Sequence, residues 1–150
     1  MVNKSKMMKT YKFRGKRSGD GKWVYGSLVV AEDFCPAIYY EKGKGKGLVK
    51  QFDWCYVNHD TIGQYTGLKD CNGKEIYEGD ILQDEHDSKI MHIVRYDDSV
   101  CSYTAWCPLV HDNWEKGNMI SKKWINEFGK IVIGNIHDNP EMLKGGSNEA

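Results

Sequence analysis

The sequence predicts a mainly β protein: an N-terminal β-hairpin part over residues 1–57, then a small SH3-like β-barrel with a short helix over 58–144, and a tail over 145–150. Three observations carry this. The apolar runs are short and rich in Val, Ile, Tyr and Trp, which suits half-buried pleated strands. Gly occurs 16 times against 3 Pro, so the runs are broken often by residues that tolerate turns. Asp20-Gly21 and Asn72-Gly73 each lie between two such runs, where an Asx-Gly pair signals a hairpin. A chain of 150 residues suits one domain, or two small lobes sharing a core.

The basic segment Met1 to Lys9 reads as a frayed terminus. A first strand is expected over about Thr10 to Gly15, a turn over Arg17 to Gly21, and a returning arm over Lys22 to Val30. Pro36 to Tyr40 reads as a short strand. Glu41 to Gly47 alternates Lys and Gly and reads as a solvated hairpin tip. A phosphate-cradling loop would need Gly-Lys-Ser/Thr after a strand, and here Gly47 is followed by Leu48. Leu48 to Phe52 and Trp54 to Val57 are strand material.

The densest turn chemistry lies in Asp60 to Leu82. Tyr65 to Leu68 and Glu75 to Tyr77 are β-prone, and Asp70-Cys71-Asn72-Gly73 between them predicts a type I′ turn with positive φ at Asn72 and Gly73. Gly67 marks a bulge or a close backbone approach. Glu78-Gly79-Asp80 is a second turn, and Ile81-Leu82 opens the next strand. A run ending in Gly-Asp-Ile-Leu often opens an SH3-like barrel, which is fold-level analogy. Asp70 and Asp80 read as turn-making carboxylates that accept backbone N–H groups.

Gln83 to Lys89 is a polar loop, and Ile90 to Tyr96 a strand apolar enough on both sides to be partly covered on both. Asp97 to Ser99 turns the chain into a strand over Val100 to Trp106. Cys107 to Gly117 is irregular, with Trp114 expected to plug the end of the core. Ser121 to Phe128 is the helix, with Ser121 as N-cap, Gly129 as C′ and an apolar side of Trp124, Ile125 and Phe128. Ile131 to Ile133 is expected to be a central strand, bent at Gly134. Pro140 begins a last helical turn, where its missing N–H costs nothing.

Three pieces resemble the YopX family of small phage and prophage proteins: Phe13 to Arg17 with Trp23 to Leu28, the run Asp60 to Leu82, and Val132 to Glu141. Together they span about 11–143. The resemblance implies a phage or prophage origin and a bacterial host cell, and it supplies no reaction. Its signature positions here are Gln64, Tyr65, Thr66, Gly67, Asp70, Asn72, Gly73, Gly79, Asp80, Gly134, Asn135 and Pro140, each with a structural role. The family often has an acidic residue near its end, which Asp138 supplies; His137 is given no role.

Formal net charge is zero but uneven. Residues 1–22 hold eight Lys or Arg and one Asp, net +7; residues 75–98 hold eight Asp or Glu and two Lys or Arg, net −6. Such asymmetry reads first as two oppositely charged solvated surfaces; it can also steer partners or favour antiparallel self-association. Lys12, Arg14, Lys16 and Arg17 are the candidate polyanion contacts, with Tyr11, Trp23 and Tyr25 as stacking partners. The 5 cysteines form no Cys-x-x-Cys pair, the N-terminus has no apolar signal core, and no apolar run nears the roughly 20 residues that span a bilayer. A cytoplasmic protein with reduced thiols and no membrane contact is expected.

Cys101 and Cys107 with His92 and His111 match no common zinc spacing. His59-Asp60 and His137-Asp138 are sequence neighbours, which point to opposite faces in a strand. No nucleophile sits in a known elbow. No catalytic residue, metal ligand or cofactor is therefore expected. The first reading is a non-enzymatic interaction module that binds a protein or itself, with Trp23, Tyr39 and Tyr40 as exposed aromatics. A nucleic-acid-binding accessory protein using the basic hairpin comes second. A metal-dependent hydrolase using Asp70, Asp80 and a nearby His comes third.

Overall fold

The computed structural model describes residues 9–44, 50–108 and 117–144. The expected frayed N-terminus up to Met8, the Gly45 to Gly47 part of the hairpin tip, Leu48 and Val49 of the strand after it, Trp114, His111 and the tail lie outside the described residues. Two units divide the chain, Met1–Gly67 and Leu68–Ala150. The boundary expected after residue 57 would have placed a 3-10 turn and most of a strand in the second unit.

The first unit is an antiparallel sheet. Its strands are β1 (Phe13–Lys16), β2 (Trp23–Ala31), β3 (Phe34–Lys44), β4 (Lys50–Tyr56) and β5 (Gly63–Lys69), in the order β4-β3-β2-β1-β5. The β1–β2 hairpin closes where the Arg17 N–H donates to the Lys22 carbonyl at 2.9 Å, and Gly21 supplies the positive φ, +68°, as the Asp20-Gly21 signal predicts. Alternation sorts the side chains. Val24, Ile38 and Val57 form the core, with Phe13, Leu28, Tyr40, Cys55 and Ile62 packed on it. Tyr40, expected to be exposed, therefore belongs to the core side.

The end of β4 returns to the end of β1. The Ser18 N–H donates to the Tyr56 carbonyl at 3.0 Å and the Asn58 N–H to the Lys16 carbonyl at 2.8 Å. Val57 then sits across Gly15, where an added Cβ would stand 3.0 Å from the Val57 Cβ. A 3-10 turn, His59–Thr61, is capped by the Asn58 side chain, and Thr61 Oγ1 accepts the Lys16 N–H at 2.8 Å.

The last two residues of β5, Leu68 and Lys69, already belong to the second unit, where β6 (Glu75–Tyr77) is the neighbour of β5. A five-stranded antiparallel sheet follows: β7 (Asp80–Asp84), β8 (Met91–Asp97), β9 (Ser102–Trp106), β10 (Asn118–Met119) and β11 (Lys130–Asn135), in the order β10-β9-β8-β7-β11. Helix α1 (Lys122–Glu127) and a 3-10 turn (Pro140–Leu143) complete it. Ile76, Leu82, Val94, Ala105, Ile120 and Ile125 form its core, flanked by Leu68, Tyr103, Trp124 and Val132. The helix is capped as its sequence predicts: Ser121 Oγ accepts the Trp124 N–H at 3.1 Å, and Gly129 has φ +55°. His92, Ile93 and Val94 are all buried, so β8 is covered on both faces over that span.

Two expectations change. The sheet is open, with β10 and β11 at its edges and no pairing between them among the described residues, so the SH3-like barrel is not confirmed. Ile131 to Ile133 is an edge strand rather than a central one. Its uniformly apolar sequence suggested neighbours on both sides. The second neighbour is a loop: the Val132 N–H donates to Asp70 Oδ2 at 2.9 Å, and the Cys71 N–H to the Lys130 carbonyl at 3.0 Å. Covering an edge with a loop satisfies its amides and blocks strand addition.

Candidate functional site

The signature residues are joinery for the backbone. Asp70, 7% exposed, accepts the Asn72 N–H (2.9 Å) and the Lys74 N–H (2.8 Å) on Oδ1, and the Val132 N–H on Oδ2. The Asp70 N–H meets the Lys74 carbonyl at 2.8 Å, and the Gly73 N–H meets the Asp70 carbonyl at 3.0 Å. Gly73 has φ +83° as expected, but Asn72 does not have positive φ. The turn is therefore type I with a glycine bulge in a three-residue loop, not type I′. That loop leaves the Asp70 side chain free to fold back over its own amides, where a two-residue turn would have no room for it.

Asp80, 1% exposed, accepts the Tyr77 N–H at 2.7 Å. Gly79, φ +86°, donates its N–H to the Val94 carbonyl and accepts the Ile136 N–H, both at 2.9 Å. Gly134 lies at a bulge in β11, and the Asn139 carboxamide occupies the space its Cβ would need. Asn135 Oδ1 accepts the N–H groups of His137 and Asp138 at 3.0 Å each, and its Nδ2 donates to Asp138 Oδ2 at 2.9 Å. Pro140 begins the last 3-10 turn. Gly67 takes φ +86° with open space around it, so conformation and not close approach selects glycine there. Gln64 lies opposite Phe13 across the β1–β5 pair, Tyr65 donates its N–H to the Lys12 carbonyl at 2.8 Å, and Thr66 is half-buried.

Asp70 and Asp80 thus serve different amides. Among the described residues no three His, Cys, Asp or Glu side chains converge in a way that could hold a metal ion. His92 is buried and Cys101 Sγ points to the Asp98 carbonyl at 3.4 Å; His111 lies outside the described residues. His59 and Asp60 meet at 3.5 Å through the 3-10 turn, in full solvent. All five cysteines are free thiols.

The four candidate polyanion contacts fall on and beside β1. Lys12 Nζ lies 5.9 Å from the Tyr25 ring, and Lys16 Nζ 5.5 Å from the Trp23 ring. Arg14 lies over Trp23 at 4.8 Å and is only 5% exposed. Arg17 is 3.5 Å from Asp20. Tyr11 and Tyr25 are exposed and Trp23 is half-buried.

A further feature is the apolar outer face of β2–β4. Cross-strand register puts Tyr39 opposite Trp54 and Ala37 opposite Tyr56, so Phe52, Trp54, Tyr56 and Tyr39 share one side. Tyr39 and Trp54 stack at 6.2 Å, and Trp54 meets Tyr56 edge-on at 5.1 Å. Tyr39, Trp54 and Tyr56, with Val29, Ala31, Phe34, Cys35 and Ala37, line a shallow hollow of about 170 Å³ that holds no Lys, Arg, Asp or Glu; Phe52 lies outside it, opposite Glu41. Phe34 is 71% exposed and Phe52 68%. Only Tyr39 of this set is legible in advance as an exposed aromatic. The missed signal is the period-two spacing of Phe52, Trp54 and Tyr56 around Asp53 and Cys55. The nearby cations are paired: Lys50 Nζ with Glu41 at 3.1 Å and Lys42 Nζ with Asp53 at 3.2 Å. The Trp54 N–H first, then the Lys42 ammonium, hold the Asp53 carboxyl below its usual range.

In the second unit a charged cluster lies under α1. Lys130, 3% exposed, sits 3.6 Å from Asp84 and 5.0 Å from the Trp124 ring. His92 packs edge-on to Trp124 at 5.4 Å, and its Nδ1 is buried without a hydrogen-bond partner. Burial first, then the Lys130 charge, push the His92 pKa down to about 4. A polar hollow of about 340 Å³ lies on β8–β9, where Arg95 stacks on Trp106 at 5.2 Å.

No helix among the described residues is long and apolar enough to cross a membrane. No curated protein is significantly similar to the chain. Among solved structures it is similar to protein EF1440 from Enterococcus faecalis, with 26% identity and TM-score 0.53, covering 91% of this chain and all of that one. The model of the YopX protein family matches residues 12–144, which include every signature residue described above. The chain belongs to the YopX family.

Proposed function

We propose that this chain is a non-enzymatic interaction module of a phage or prophage, working in the bacterial cytoplasm and engaging a protein surface through the outer face of β2–β4. The observation that carries this reading is the exposed aromatic face over β3 and β4, where Tyr39, Trp54 and Tyr56 line an apolar hollow and Phe52 stands beside the Glu41–Lys50 pair. Tyr and Trp give large contact area with few rotatable bonds, which is why they anchor protein interfaces. An enzymatic role has less support, because both carboxylate oxygens of Asp70 are held by backbone amides. A photo-crosslinking residue placed at Phe52 should form protein adducts in host extract, and one at Met119 should not. No adducts, or equal adducts from both positions, would overturn the proposal.

Nucleic-acid binding is the second reading, favoured by Lys12 and Lys16 beside Tyr25 and Trp23. It is the weaker one, since Arg14 is buried and Arg17 pairs with Asp20. It expects single-strand affinity that falls with salt at a slope of about −0.7 per neutralised phosphate. Weak, salt-insensitive binding would set it aside.

A further inference from the structure

We infer that the occupant of the β2–β4 face is a second copy of this chain, docked sheet against sheet. This rests on the reading above and names its partner.

The area comes first. Val29, Phe34, Tyr39, Phe52, Trp54 and Tyr56 each leave about half or more of their surface in solvent. At roughly 150–250 Å² per aromatic side chain this amounts to about 600 Å² of apolar surface. That is at the upper end of the ~300–600 Å² found for the largest patch on a monomer. Two such faces together bury about 1,200 Å², the lower bound for a specific, stable interface.

Charge comes second. A two-fold interface sets the same patch against itself, so a net charge there would repel its own copy. This hollow carries no ionised side chain, and the flanking Lys50 and Lys42 are bonded to Glu41 and Asp53. A polyanion would find no uncommitted cation among these lysines, whereas the hollow of an identical copy brings no charge of its own; Glu32 and Asp33 stand at the β2–β3 turn beside it.

The edge of β4 fixes the geometry. Strand addition needs outward-pointing N–H and C=O groups. The Trp54 N–H already donates to Asp53 Oδ1 at 2.9 Å, and the Tyr56 carbonyl accepts the Ser18 N–H at 3.0 Å. With these two edge groups committed, contact through side chains is the favoured geometry, and two copies then stand with their sheets about 10 Å apart.

The test is sedimentation of the pure full chain over a hundredfold range of concentration reaching ~1 mM. The expected result is a monomer–dimer equilibrium that strengthens or holds as salt is raised, because apolar burial drives it. Phe52→Ser and, separately, Phe34→Ser should each raise the dissociation constant about tenfold or more, while Met119→Ser leaves it unchanged. All three positions are exposed, and circular dichroism checks that each variant is folded. A monomer throughout, a dimer that dissociates with salt, or a dimer indifferent to both Phe substitutions would overturn the inference. A monomer whose Phe52 still crosslinks to a different protein would overturn the second copy alone; loss of both signals would overturn the interaction module as well.

Discussion

Replacing Asp70 with Ala removes one carboxylate that holds three backbone N–H groups, those of Asn72, Lys74 and Val132. A hydrogen bond to a charged acceptor contributes about 1.5–3 kcal/mol net, and a buried donor left without a partner loses its full solvation. The two loop amides can turn to water, so they lose the smaller share. The Val132 amide lies on the strand edge that this loop covers, so it loses the larger. The expected cost is about 3–4 kcal/mol, a large part of the ~5–15 kcal/mol that holds a domain of this size. At ~2–4 °C per kcal/mol, Tm should drop by about 6–15 °C. Asp70→Asn keeps an acceptor oxygen but loses the charge and one acceptor position, and should lose about half as much. Thermal unfolding by circular dichroism, with urea midpoints, reads both variants. A loss under about 1 kcal/mol for Asp70→Ala would refute the staple role and reopen a chemical one.

Three further outcomes are expected. The folded protein holds His92 neutral with its pKa at about 4 against 6.5 for an ordinary histidine, so below pH 6.5 the unfolded chain takes up a proton that the folded chain refuses. Stability should fall as pH drops from 6.5 to about 4, by up to about 3 kcal/mol from this group, and His92→Gln should flatten that part of a urea-midpoint profile. Gly73→Val should lower stability by at least about 1 kcal/mol, because its φ of +83° excludes a β-branched residue; an unchanged Tm would show a different turn. All five thiols should react under denaturing, non-reducing conditions, while in the native protein the half-buried Cys55, its pKa raised by burial, should react more slowly than exposed Cys35.

Local chemistry was the legible part. Ser121 and Gly129 mark both ends of α1 because caps are fixed by side-chain hydrogen bonding and by positive φ, which few residues supply. Gly134 and Pro140 likewise announce the bulge and the final 3-10 turn. Long-range pairing was harder. Ile131 to Ile133 reads as a doubly flanked strand, yet its second neighbour is a loop whose Asp70 lies 62 residues before Val132, and nothing in an apolar run says what will cover it. Barrel closure depends on whether the last strand meets the first, which strand spacing alone does not encode. The cluster of the Lys130–Asp84 pair and neutral His92 was invisible for the same reason, since three separate strands bring it together. The aromatic face fell between the two cases. Its alternation is local, but telling which side is the core requires the partner strands.

Residue-resolved hydroxyl-radical footprinting tests most directly the claim that function resides on the outer face of β2–β4. Oxidation of Tyr39, Phe52, Trp54 and Tyr56 is compared between dilute and concentrated protein, with exposed Tyr11 and Met119 as references. The four face residues should become protected together as concentration rises while the two references keep their rates. Equal rates at every concentration, or protection that falls on Tyr11 or Met119 and spares the face, would contradict it.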